Sequence, residues 1–159
     1  MLLFATVVLT IIFFFGMPYI IQVLAPGFTD NKEAYELAVH FGKIIFPYII
    51  FISLAAHFAS INNVHERFAA GAFAPAILNI SFILSLFFLT PFVTTAGHAL
   101  SYGVLIGGIL QFLYLYRSVL NFYRPRIRIP VLNEKLKKFF KLFLPGVVGS
   151  GVIQLNIVI

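Results

Sequence analysis

The chain has 159 residues, of which 61% are hydrophobic, 17% aromatic and only 10% charged, with a formal net charge of +6. A soluble domain carries about 25% charged residues, so this chain cannot cover its surface with polar groups, and the bilayer must be its solvent. The absence of cysteine excludes disulfides, thiolate metal sites and cysteine nucleophiles. Eight of the eleven Lys and Arg fall between Arg117 and Lys141, so the positive charge reads as membrane orientation rather than nucleic-acid binding.

The first apolar run, Met1 to Leu24, has no charged residue. It lacks the basic start and short apolar core of a cleaved signal peptide and reads as a spanning helix. Its abrupt opening suggests a chain that begins inside a larger protein. Pro18 is expected to kink or fray its last turns. Ala25-Pro26-Gly27-Phe28 makes a turn. Asp30 and Glu33 then stand at capping-box spacing ahead of Ala34, Leu37, Ala38 and Phe41. That pattern predicts a short amphipathic helix lying on the membrane surface, with Lys32, Glu36 and His40 solvated.

The second span is predicted at about Ile45 to Ile61, with Pro47 in its first turn. Ala55 and Ala59 have the small-xxx-small spacing of a close helix contact. His57 is the one titratable group well inside this span. It is read either as facing other helices and bonded to a carbonyl, or as a proton-relay or substrate contact, because ionisable groups inside a membrane are expensive. Asn62 to Arg67 forms a polar turn. The next 49 residues, Phe68 to Tyr116, contain no charged side chain. They divide into a third helix at about Phe73 to Leu89, with Pro75 in its first turn, and a fourth at about His98 to Arg117. The fourth carries Gly103-x-x-x-Gly107, and Gln111 within it reads as structural glue. Five tyrosines near the ends of apolar runs (Tyr19, Tyr48, Tyr102, Tyr114 and Tyr116) suit an interfacial belt in a chain without tryptophan.

Arg117 to Lys141 is a basic connector, extended around Pro125 and Pro130. It continues as a basic amphipathic helix capped by Asn133, with Leu136, Phe139, Phe140 and Phe143 on one face. A fifth apolar run follows Pro145-Gly146 and stops at Ile159 without a polar flank. With alternating spans, the segments at 62–67 and 117–141 share one side and hold nine Lys and Arg, against two on the other. The basic side is therefore cytoplasmic and the 25–43 segment lies outside. The fold class is all-α: a polytopic helical membrane protein with about five transmembrane helices.

The set Ala25-Pro26-Gly27-Phe28, Phe46-Pro47-Tyr48, Arg67-Phe68-Ala69, Ala72-Phe73-Ala74-Pro75 and Leu78-Asn79-Ile80 resembles the MurJ/MviN family. Those proteins are flippases for lipid II within the superfamily of multidrug and polysaccharide exporters. The resemblance implies a two-lobed fold of about fourteen helices in the bacterial inner membrane, of which these spans would be the third to seventh. Residues 1–117 would be the later part of the first lobe, with a periplasmic amphipathic segment at 25–43. Residues 118–138 would be the cytoplasmic inter-lobe connector, and 139–159 the start of the second lobe. It also implies lipid II as substrate, and membrane lipids and the transporter's remaining helices as partners. The family's cavity-lining basic residues come largely from helices outside this range, and none is matched here. Arg67, within the matched motif and equally readable as a headgroup-level anchor of the turn, and His57 are the substrate-path candidates. No catalytic residue, metal site, cofactor or nucleic-acid partner is expected.

Two other readings compete. One is a multidrug or polysaccharide exporter of the same superfamily, although none of the five acidic residues lies mid-span. The other is a membrane assembly subunit with no transport path. An integral-membrane enzyme fits least, because the acids sit at the edges and the histidines are not in ligand spacing.

Overall fold

Residues 2–28 and 31–124 are described in the computed structural model, and they are helical almost throughout. The elements are α1 (Leu2–Leu24), α2 (Lys32–Ile45), α3 (Tyr48–Val64), α4 (Phe68–Leu89) and α5 (Ala96–Val119), with single 3₁₀ turns at Pro26–Phe28 and Thr90–Phe92. There is no strand among the described residues. Among the described residues, four stretches are long and apolar enough to cross a membrane: Leu2–Leu24, Lys32–Val64, Phe68–Phe92 and Ala96–Val119. The predicted fifth run and the connector from Pro125 onward lie outside the described residues.

Helix α1 runs through Pro18 to Leu24 without fraying. The proline has no N–H to give the Phe14 carbonyl, but neighbouring helices can stabilise such a break. The Tyr35 hydroxyl donates to the Pro18 carbonyl at 2.9 Å. Thr6 and Thr10, both buried, return their hydroxyls to carbonyls of their own helix. The outer side of α1 is apolar: Ile12, Phe15 and Val23 are exposed, which suits contact with hydrocarbon.

Asn31, rather than Asp30, caps α2; its Oδ1 accepts from the Ala34 N–H at 3.2 Å. Glu33 still complements the helix dipole in the first turn. The Lys32–Glu36 pair, at 3.9 Å and well exposed, adds little. Helix α2 folds back antiparallel along α1. The Tyr35 hydroxyl reaches Pro18, the Lys43 ammonium lies 5.5 Å from the Phe14 ring, and Phe46 stacks on Phe13 at 4.6 Å.

The predicted surface helix and second span are therefore one nearly continuous 33-residue path, Lys32–Val64. At 1.5 Å per residue this is about 50 Å, well beyond a hydrocarbon core of about 30 Å. Proline does not stop it because Phe46 and Pro47 both keep right-handed helical backbone. Tight bonds from Ile49 to Phe46 and from Ile50 to Pro47, each 3.1 Å, carry the chain past the missing donor.

Helix α4 starts at Phe68, five residues earlier than expected, which leaves Pro75 in its interior. Helix α5 starts after Thr95, whose hydroxyl oxygen accepts from the His98 N–H. One side of α5 is nearly free of side-chain bulk, and both neighbouring helices settle onto it. A Cβ added at Gly103 would stand 2.8 Å from Ser85 Cβ, and one at Gly107 would stand 2.7 Å from Leu78 Cδ1. A Cβ at Gly108 would meet the Tyr48 ring of α3. Gln111 sits one turn further on and is buried. Its Nε2 donates to the Ala74 carbonyl at 2.8 Å, and its Oε1 accepts from the Tyr48 hydroxyl at 3.4 Å. Tyr48 thus belongs to the helix junction rather than to an interfacial belt. Ala55, Phe58, Ala74, Leu115 and Val119 close the core beneath.

Gly103→Leu is expected to destabilise the chain by about 1–3 kcal/mol through overpacking, read from unfolding midpoints in mixed micelles. Gly16→Ala is expected to be neutral or stabilising, because its Cβ meets only Ile20 Cδ1, at 3.9 Å.

Candidate functional site

The polar turn between α3 and α4 is built by the end of α3. The Arg67 N–H donates to the Asn62 carbonyl at 2.9 Å, and the Glu66 N–H donates to Asn63 at 3.0 Å. This pair of bonds is a Schellman motif, which places Glu66 at the position glycine usually fills. Glu66 accordingly has φ 59°, the one positive φ at a non-glycine among the described residues. Asn62 holds the turn to α5. It is fully buried, and its Nδ2 donates to Ser118 Oγ at 2.7 Å and to the Phe58 carbonyl at 3.1 Å. Its Oδ1 is buried without a partner among the described residues.

Arg67 follows this turn as the residue that precedes α4, and it is exposed. Its guanidinium lies 5.0 Å from the centroid of the Phe122 ring, and the His65 ring lies 4.3 Å from the same aromatic. Phe122, just past α5, is therefore flanked by His65 and Arg67 of the turn. An exposed cation–π contact contributes about 0.5–1 kcal/mol, enough to bias a long side chain without burying its charge. No carboxylate pairs with Arg67 among the described residues. Its fork of donors remains available to a planar or tetrahedral anion.

His57 is on the exposed surface of α3, with no hydrogen bond to a carbonyl among the described residues. It stands ten residues before Arg67, about 15 Å along a helix, so the two candidates do not form one site. Residues with no functional signature in the sequence come together at the opposite end. The His40 ring of α2 lies 5.2 Å from the His98 ring of α5, and Phe41 meets His98 edge-on at 4.9 Å. Thr95 Oγ1 lies 2.8 Å from His98 Nδ1. Glu33, Glu36 and Leu37 complete an open recess of about 340 Å³ there. His40 and His98 are 58 residues apart in sequence, and only the antiparallel return of α2 toward the start of α5 brings them together. No group of three or more ligating side chains positioned for a metal exists among the described residues.

Comparison with known proteins matches residues 1–159 to the family described as "Lipid II flippase MurJ". A probable lipid II flippase MurJ of Rhizobium tropici is 34% identical over 157 residues, covering 95% of this chain and 29% of the relative. The lipid II flippase MurJ of Burkholderia cenocepacia is 37% identical over 112 residues, covering 70% of this chain and 22% of the relative. A probable lipid II flippase MurJ of Rickettsia prowazekii is 33% identical over 147 residues, covering 90% and 28%. The chain thus spans less than a third of the length of these curated relatives.

Left-handed backbone at a residue with a Cβ costs about 1–2 kcal/mol. Glu66→Gly should therefore raise stability by about 1 kcal/mol in the same unfolding assay, while Glu66→Val should lower it.

Proposed function

The chain belongs to the MurJ lipid II flippase family, and we propose that it forms part of the first lobe of a lipid II transporter. As a member of that family it is a multi-pass protein of the bacterial inner membrane. The proposed activity is transfer of the undecaprenyl-pyrophosphate-linked peptidoglycan precursor from the cytoplasmic to the periplasmic leaflet. The observation that carries this reading is the family match across all 159 residues, supported by relatives bearing the flippase name.

In this reading residues 1–117 supply later helices of the first lobe, 118–138 the cytoplasmic connector and 139–159 the opening of the second lobe. The remaining helices of the transporter, with membrane lipids and lipid II, are its partners. Alternating access needs a lobe that moves as a unit against its counterpart. The α3–α4–α5 junction suits that demand, since Gln111 links all three helices at mid-depth and the glycines of α5 allow close contact. Cation-coupled drug exporters usually use intramembrane carboxylates, whereas Glu33, Glu36 and Glu66 lie toward helix ends among the described residues.

Arg67 is assigned to the cytoplasmic end of the path. Its exposed fork, steadied on Phe122, suits first contact with the pyrophosphate before the headgroup enters the cavity. No cationic side chain is paired with His57 in a ring contact or hydrogen bond among the described residues, so the headgroup contact is placed at Arg67 in this reading.

The test is growth rescue in cells depleted of their own lipid II flippase. The complete gene product carrying this sequence should rescue, while residues 1–159 expressed alone should insert without rescuing. Arg67→Ala should cut lipid II transfer several-fold, and Arg67→Lys should keep most of it. Failure of the complete product to rescue would refute the flippase assignment; undiminished transfer by Arg67→Ala would remove Arg67 from the path.

A further inference from the structure

Helix α2 turns one stripe of side chains toward the start of α5. Glu33, Glu36, Leu37 and His40 recur at three- and four-residue intervals, so they share a face, and with His98 they line one recess. Phe41 seats against Gly97 beside it, where an added Cβ would stand 2.6 Å from the Phe41 Cζ.

The His98 ring is held on two sides. Its Nδ1 lies 2.8 Å from Thr95 Oγ1 and 3.1 Å from Thr94 Oγ1, and Phe41 packs edge-on against it. With Nδ1 engaged, Nε2 is the nitrogen open to a ligand. An imidazole steadied through its other nitrogen is the usual condition of a metal-bound histidine. His40 faces it from α2, exposed and without a hydrogen bond among the described residues.

The spacing of the two rings suits a shared ion. With a zinc–nitrogen bond of about 2.0–2.1 Å and a ring nitrogen about 1.15 Å from its ring centre, each centre stands about 3.2 Å from the metal. Two imidazoles at the tetrahedral angle then have centres about 5.2 Å apart. The His40 and His98 ring centres are 5.2 Å apart. Glu36 lies one helical turn before His40 on the same face. No group of three ligands is gathered among the described residues, so Glu36 has to turn from Lys32 to complete the set. That pair, at 3.9 Å and well exposed, holds it weakly.

We propose that His40 and His98, joined by Glu36, bind a divalent transition metal of the zinc class at the end of the helices opposite the Asn62–Arg67 turn. Two neutral imidazoles and a carboxylate suit a borderline-soft cation, whereas magnesium and calcium favour oxygen ligands. Water fills the fourth position in the open recess. The ion ties α2 to α5, which meet there through Phe41 and Gly97. The proposal does not depend on which lipid is transported.

The test is calorimetric titration of zinc chloride into the untagged complete gene product in detergent micelles, with magnesium chloride as control. Zinc is expected to bind at least about a hundred-fold more tightly than magnesium. His40→Ala and His98→Ala should each weaken zinc binding by about ten-fold or more, and Glu36→Gln by several-fold. Copper(II) in place of zinc should give an electron paramagnetic resonance spectrum split by two imidazole nitrogens, reduced to one in either histidine variant. Absence of zinc binding, or affinity unchanged in a histidine variant, would overturn the proposal; unchanged affinity in Glu36→Gln would overturn the carboxylate's part in it. If His98→Ala does not fold, His40→Ala and the copper spectrum decide, since His40 is exposed and makes only ring contacts. Growth rescue tests the flippase reading separately, so either can fail alone.

Discussion

Hydrocarbon offers no hydrogen bonds, so every polar group the chain brings to mid-depth must find its partner in protein. Gln111 meets that requirement across three helices at once, giving its donor to the Ala74 carbonyl and its acceptor to the Tyr48 hydroxyl. It can do so because Gly103, Gly107 and Gly108 let α4 and α3 approach the α5 backbone. The two devices depend on each other. Close approach provides the dispersion contact that replaces a water-driven hydrophobic force, and the amide fixes the register in which that approach occurs.

Much of this is legible in the residues. Long charge-free runs mark the spans, the glycine pair of α5 marks its contact face, and Gln111 is readable as a tie between helices. The prolines are less so. A local rule puts Pro47 and Pro75 in first turns because it counts only the missing N–H. The structure continues through both, and Gln111 reaches the carbonyl immediately before Pro75. Asn31 takes the capping place expected of Asp30, a shift of one residue. The surface helix merges with the second span through helical backbone at Phe46 and Pro47, and Phe46 there stacks on Phe13, a contact between residues 33 positions apart that no local pattern reveals. The family-like pieces Phe46-Pro47-Tyr48 and Ala74-Pro75 are packing joints in this fold.

The candidate site is less legible than the fold. Arg67 is identifiable from its place in a matched motif, but its steadying ring, Phe122, is 55 residues away and only tertiary contact shows it. His57 has the sequence context of a histidine turned toward other helices, deep in an apolar run. Periodicity gives the depth of a residue but not which helices surround it, and here it stands on an open face of α3. The His40–His98 pairing has no sequence signature, since the two histidines lie on different helices 58 positions apart and neither has another histidine at ligand spacing.

The account depends most directly on lipid surrounding α1, α3, α4 and α5, with the Asn62–Arg67 turn inside the cell. Single cysteines at Glu66 and at Thr94, labelled in intact cells with a membrane-impermeant maleimide, test this. The account predicts rapid labelling at position 94 and none at position 66 until the membrane is opened. Labelling at 66 in intact cells, or equal labelling at both positions, would contradict it.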